Sequence, residues 1–178
     1  MDFAYNDEQK EIIKVVRDLV EKEIVPYAGE MDETGKLHEG LLEKLAAQGL
    51  LGVAIPEEFG GAGLDAITIA AIYEELGKGC AGVATTVAAN ALASYPVIIA
   101  GNDDQKKRYF DIINQDNLAA FALTEPGTGS DAGSVSTRAV KTEDGKGYIL
   151  NGTKCFITNG ALAEVFVVFA NTRKTGGI

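Results

Sequence analysis

Thr124-Glu125-Pro126-Gly127-Thr128-Gly129-Ser130-Asp131 gathers three hydroxyls and two carboxylates into eight residues, spaced by two glycines and a proline. Pro126 stiffens the chain and offers no N–H. Gly127 and Gly129 carry no Cβ that would hold a ligand off the backbone amides. Such a loop suits a polar anion or the edge of a heteroaromatic ring. Composition alone favours a plain Pro/Gly turn between strands. Further along, Phe156-Ile157-Thr158-Asn159-Gly160 brings an aromatic ring and a hydroxyl together. Taken singly, it is equally a strand-ending turn with a core aromatic.

Other chemistries are poorly served. Gly127, Gly129 and Gly133 fall one residue off the dinucleotide fingerprint, and the next segment alternates like a strand instead of opening a helix. The single histidine, His38, sits beside a Gly-rich turn and is expected to be a loop residue, so a hydrolytic triad lacks its base. No P-loop, nucleophile elbow or metal-type spacing occurs. A second Gly-rich loop, Pro56 to Gly63, is either a ligand contact or a tight connection between helices. Cys80 and Cys155 stand far apart and are expected to be reduced thiols in a cytoplasmic setting. A net charge of −10 argues against nucleic acid and an anionic membrane surface as partners. No signal peptide is expected at the charged N-terminus.

The elements that must position these residues change character along the chain. Ile12, Ile13, Val16, Leu19, Val20 and Ile24 predict an amphipathic helix over 7–25, capped by Asn6 or Asp7 and ended or bent at Pro26. Leu41, Leu42, Leu45 and Ala46 predict another, stopped by Gly49. Asp65 caps a third, running through Ile69, Ile72, Tyr73 and Leu76. Residues 80–100 are small and apolar nearly throughout, which predicts a buried central helix and no membrane span. Asn102-Asp103-Asp104 caps a last helix, with Lys106, Lys107 and Arg108 facing water. After Asn117 the period becomes two: strands are expected at 118–123, 134–141, 148–150, 154–157 and 165–170, with a turn at 143–147. Asn151-Gly152-Thr153 predicts a hairpin. The fold class is therefore α+β, a helical domain over 1–116 followed by an antiparallel β domain over 117–178. Thr175-Gly176-Gly177-Ile178 falls where another strand is expected, so the β domain is expected to be incomplete.

Taken together and in this order, Leu123 to Asp131, Leu150-Asn151-Gly152-Thr153-Lys154 and Phe156 to Gly160 resemble the acyl-CoA dehydrogenase flavoproteins. Tyr73-Glu74-Glu75-Leu76 and the Asp104–Arg108 helix resemble the same family's N-terminal domain, so the likeness covers the whole chain. It implies bound FAD and an acyl-CoA substrate. Phe121, Ala122, Leu123, Thr124, Gly129 and Ser130 would run along the flavin, with Ser130 also meeting the substrate. Phe156 would cover the ring, where many members carry Trp, and Ile157 and Thr158 would complete the site, the Thr158 hydroxyl reaching toward N5. The implied reaction is α,β-desaturation, with the β-hydrogen passing to the flavin as hydride. The family's proton-abstracting glutamate comes from a C-terminal helical domain, so no catalytic residue is assigned within 1–178 and these residues alone are expected to be inactive. An electron-transfer flavoprotein as acceptor and a homotetramer are implied in the same way. Gly133 to Thr137 leans toward short-chain members. A related flavoprotein oxidase, an enoyl-CoA reductase and a non-catalytic docking module remain alternatives.

Overall fold

The structure, a computed structural model, describes residues 4–172. Six α-helices and four short strands follow one another in that order. Helix α1 (Asp7–Leu19) begins with a reciprocal cap, the Asn6 side chain accepting from the Gln9 amide and the Gln9 side chain from the Asn6 amide. Its apolar stripe buries Ile13, Val16, Val20 and Ile24. Pro26 has no N–H to return to the preceding turn, and the helix loosens ahead of it into a π turn at Val20–Ile24 and a 3-10 turn at Val25–Tyr27. Helix α2 (Ala28–Thr34) follows, and His38 stacks on Tyr27 with ring centroids 3.5 Å apart. Helix α3 (Leu41–Ala47) ends at Gly49, whose φ of 69° is the left-handed conformation expected of such a stop.

Helix α4 (Ala66–Gly79) is capped by Asp65, which accepts from the amides of Ile67 and Thr68. It lies on α1, where the Arg17 guanidinium makes two bonds to the buried Glu75 carboxylate at 2.9 and 3.1 Å. Arg17, countering burial with help from Lys78, holds the Glu75 carboxyl down to about 2.

Helix α5 (Ala81–Ala100) runs against α4 and against the first strand. By length and composition alone it could cross a membrane. Among the described residues it is not covered all round, as the sequence predicts it to be. Val83, Val87, Asn90, Ala93 and Ser94 are covered, while Leu92, Tyr95 and Ile99 are exposed, because α4, α6 and the strand cover one side only. Asn90 joins three segments. Its amide donates to the carbonyls of Leu51 and Asn117, and its oxygen accepts from the Ala119 amide at 2.8 Å. Helix α6 (Asp103–Ile113), capped by Asn102 and Gln105, buries Tyr109, Phe110 and Ile113. The Pro56–Gly63 segment folds into a tight connection around a 3-10 turn at Glu57–Phe59.

Strands β1 (Ala119–Ala122), β2 (Arg138–Lys141), β3 (Tyr148–Asn151) and β4 (Val165–Val168) form two pairs, giving the α+β class. One pair departs from the antiparallel expectation: β2 and β3 are antiparallel, but β1 and β4 run parallel, with Ala119 opposite Val165 and Ala122 opposite Val168. Parallel partners need a long crossover. Residues 123–164 supply it, returning the chain until the Glu164 amide meets the Leu118 carbonyl at 3.0 Å.

The hairpin expected at Asn151-Gly152-Thr153 also lies elsewhere. Its loop is Thr142–Gly147, closed by the Thr142 amide on the Gly147 carbonyl, with Gly145 at φ 69°. Gly152 instead marks a close passage. A Cβ there would sit 2.7 Å from the Thr137 Cα. Accordingly 154–157 forms no strand, and Ser134–Thr137 is a turn and a linker leading into β2. The strand expected after Thr175 lies outside the described residues.

Candidate functional site

The loop opened by Thr124 begins as a tight reversal. Glu125 and Thr128 exchange both backbone hydrogen bonds at 3.0 Å, which puts Pro126 and Gly127 at the tip. The Thr128 hydroxyl donates to the Ser134 carbonyl, and Ser134 turns back on Asp131, so the loop is fixed from within. Gly129 and Ser130 stay exposed. A Cβ built on Gly127 or Gly129 would meet no atom of the protein within 4 Å. Close packing inside the chain therefore does not call for glycine at either position, and both leave backbone amides open to a ligand.

Residues 154–155 tie this loop to the later motif. The Lys154 ammonium donates to the Leu123 carbonyl and to the Glu125 carboxylate, both at 2.8 Å. The Cys155 amide donates to the Thr124 carbonyl at 3.0 Å. Glu125 also accepts from the Ser136 amide and hydroxyl and from the Thr137 amide. Burial pushes the Glu125 carboxyl up, but Lys154, Ser136 and Thr137 together outweigh it and hold the group well below the usual carboxylate range. A carboxylate so engaged is a poor general base, which needs an affinity for protons near the working pH. The same holds for Glu75.

Phe156 comes next, at φ 55° and 93% exposed. Bulky residues rarely adopt that conformation, and an apolar ring gains nothing from water. Among the described residues the Phe156 ring packs into no core. Thr158 is exposed as well. Asn159, at φ 62°, anchors the turn by donating to the Thr86 carbonyl at 3.0 Å and the Ala119 carbonyl at 3.1 Å.

Of the residues expected to share a site, Leu123 and Thr124 are joined through Lys154 and Cys155 to the stretch that leads into Phe156. Phe121 lies in β1 with its ring 5.0 Å from that of Phe169, and Ala122 is buried beside it, so only its backbone is available. Leu123 and Thr124 are pinned by Lys154 and Cys155, immediately before Phe156 and Ile157. Gly129 and Ser130 share no hydrogen bond with residues 156–158. The hydroxyls of Thr124, Ser130 and Thr158 take no partner among the described residues, and they are spare donors. No cluster of metal-ligating side chains occurs among the described residues.

Sequence reasoning missed the frame itself: the bonds made by Lys154, Asn159, Asn90 and Glu125. The signal for Lys154 was present. A lone cation between Thr153 and Cys155 in an otherwise uncharged run requires a carboxylate when buried, and Glu125 stands in the earlier motif.

The arrangement offers an exposed aromatic ring, spare hydroxyl donors and open amides around a rigid seam. It suits a flat, polar-edged ligand. Comparison with known proteins bears on which one. The family model described as acyl-CoA dehydrogenase, N-terminal domain, matches residues 6–115, and that described as the middle domain matches residues 120–178. A 3-(aryl)acrylate reductase of Clostridium sporogenes (strain ATCC 15579) is 42% identical over 96% of this chain and 45% of its own length. Butyryl-CoA dehydrogenase from Megasphaera elsdenii superposes with a TM-score of 0.87 at 38% identity, over 98% of this chain and 46% of that one. An acyl-CoA dehydrogenase complexed with FAD from Bacillus anthracis superposes with a TM-score of 0.84 at 39% identity, over 94% of this chain and 29% of that one. The chain spans about half the length of the curated relatives it matches.

Proposed function

Because the chain belongs to the acyl-CoA dehydrogenase family, we propose that it forms the N-terminal helical part (1–116) and the start of the middle β part (117–178) of an FAD-dependent enzyme that oxidises acyl-CoA to trans-2-enoyl-CoA. The observation that carries this reading is Phe156, exposed and in an unfavourable backbone conformation beside a seam of unpartnered hydroxyls. Such strain persists where the surroundings enforce it, and a ring-stacking ligand supplies the use.

The donor set fits a flavin. Open amides along 121–130 and the Thr124 hydroxyl would hold its polar edge, where fixed donors favour the negative charge of the reduced state. The spare Thr158 hydroxyl would give a further hydrogen bond, and the Phe156 ring would shield one face from water. The Ser130 hydroxyl, exposed and unpartnered, would meet the acyl chain. Bound FAD supplies a hydride acceptor, chemistry that no side chain provides. Glu75 and Glu125 are both committed as charged partners, and family resemblance supports a proton-abstracting carboxylate supplied from outside 1–178.

The substrate is read as a short-chain acyl-CoA, with an electron-transfer flavoprotein as electron acceptor and a homotetramer as the full-length assembly; family resemblance supports all three. A water-soluble cytoplasmic protein is supported by the free thiols of Cys80 and Cys155 and by the covered side of α5. The reductase relative supports a second reading, in which the same site runs in the opposite direction on an enoyl substrate.

Anaerobic titration of the flavin-loaded full-length protein with butyryl-CoA separates the possibilities. Bleaching of the visible flavin absorption is the expected result. A flavin that stays oxidised with acyl-CoA, yet once reduced is reoxidised by an enoyl substrate, would favour the reductase. A protein that takes up no flavin would overturn both.

A further inference from the structure

We propose that Glu125 and Lys154 are positioning residues that set the spacing between the two flavin-facing segments, 121–130 and 156–158; this rests on the flavin reading above. Three consecutive residues of the first segment are tied to the two residues that immediately precede the second. The Leu123 carbonyl and Glu125 carboxylate each receive the Lys154 ammonium at 2.8 Å, and the Thr124 carbonyl receives the Cys155 amide at 3.0 Å. The spare Thr124 hydroxyl therefore sits on a backbone fixed on both sides, and Phe156 leaves the seam one residue after its last bond.

No regular ladder does this job. Residues 123–125 and 154–158 lie in neither strand pair, and neither stretch has an apolar stripe to dock it. The pair itself is well sheltered, its side chains 12% and 2% exposed, so water does not compete for it as it does for surface ion pairs. The remaining carboxylate capacity is taken by Ser136 and Thr137, which fixes the glutamate before it fixes anything else. A lysine suits the task because one ammonium donates in several directions at once. An arginine would present its donors in a planar fork at a longer reach, a different geometry from one ammonium bridging a carbonyl and a carboxylate.

A pair that merely stabilised the fold would tolerate replacement by another sheltered pair or by an apolar one. A pair that sets spacing would not. Two variants of the full-length protein separate these cases. Lys154→Arg keeps the charges matched and the loop folded. Glu125→Gln/Lys154→Met removes both charges together, so no lone charge is left buried. The readouts are the FAD dissociation constant of the flavin-free protein, the flavin absorption maxima, and the melting temperature of the flavin-free form. We expect Lys154→Arg to weaken FAD on the order of threefold or more and to shift the absorption bands, with the melting temperature kept. We expect the double variant to weaken FAD on the order of tenfold or more. In the flavin-free protein the Cys155 amide should also exchange faster in both.

Wild-type FAD affinity and absorption maxima in both variants would overturn the proposal. So would weaker FAD binding in the double variant that tracks a lower melting temperature while Lys154→Arg is unchanged, since that marks a purely structural pair. Wild-type protein that takes up no FAD overturns the flavin reading and this inference with it. FAD bound alike by wild type and variants overturns this inference alone.

Discussion

Glu75 in the helical half and Glu125 in the β half are both buried, both charged and both answered by a lysine, but they stand in different company. Glu75 joins α1 to α4, two helices that are already capped and that already bury apolar stripes against each other. Its main partner, Arg17, is 52% exposed on the side chain. Glu125 joins stretches with no ladder and little apolar cover, and its Lys154 partner is 12% exposed. In the helical half the ion pair supplements packing; at the Glu125–Lys154 seam it joins stretches that no strand pair connects. The region that carries the candidate site is thus held mainly by directed polar bonds, which fix distances where apolar contact would fix only proximity.

The sharpest way to break this comparison is to strand each carboxylate. Lys154→Met leaves Glu125 charged, buried and without its cation. Exchange of the Ser136, Thr137 and Cys155 amides should accelerate on the order of tenfold or more, while α1 and α4 keep their protection. Arg17→Met should leave those three amides unchanged and speed exchange only where α1 meets α4. Equal responses in both regions would erase the distinction.

Acid separates the two next. The Glu75 carboxyl is lowered in the fold from 4.5 to about 2, so its contribution to stability is complete above the unfolded value and is lost as the pH falls from 4.5 toward 2. Denaturant melts across that window should show stability dropping, and Glu75→Gln should flatten the slope there. The Glu125 carboxyl is also held below its ordinary value, so its share too is lost in acid, and Glu75→Gln isolates the Glu75 part. An unchanged slope in Glu75→Gln would remove Glu75 from the account.

Two glycines sharpen the contrast further. Gly152→Ala would drive a Cβ against the Thr137 backbone and should cost about 1–3 kcal/mol in equilibrium unfolding. Gly29→Ala, inside α2 with no atom within 4 Å of the added Cβ, should stabilise by roughly 0.5–1 kcal/mol. The smallest change is expected at Phe156. Phe156→Gly relieves the positive φ without losing any packed surface, and the flavin-free protein should gain about 1 kcal/mol or less while its FAD binding weakens. A loss of stability in that variant would mean that the ring packs on the chain itself.

How legible each half was in the sequence follows the same division. Asn6, Asp65 and Asn102 announce helix starts because a cap acts within three residues, and the α1 stripe shows which face is buried because the period is local. The β half is governed by partners far apart. Asn151-Gly152 carries the residue types of a hairpin turn, but the need for Gly152 comes from Thr137, which no local pattern reveals. The β1–β4 pairing is parallel because of what the intervening residues do. The residue types of the candidate site could be read directly from the Thr124–Asp131 and Phe156–Gly160 motifs. The bonds that hold them could not, since Lys154 meets Glu125 across 29 positions with no periodic signal. The exposure of Leu92, Tyr95 and Ile99 on α5 was hidden for a related reason: a sequence apolar on every side does not tell which side is covered.

On the proposed reading, the spare hydroxyls of Thr124 and Thr158 face one flavin. Titrating FAD into the flavin-free full-length protein, wild type against Thr124→Ala/Thr158→Ala, tests that most directly. Two hydrogen bonds are worth about 1–3 kcal/mol together, so the variant should bind FAD about 5- to 150-fold more weakly with its flavin-free melting temperature unchanged. Equal affinity in the two proteins would contradict the assignment of these residues to the cofactor.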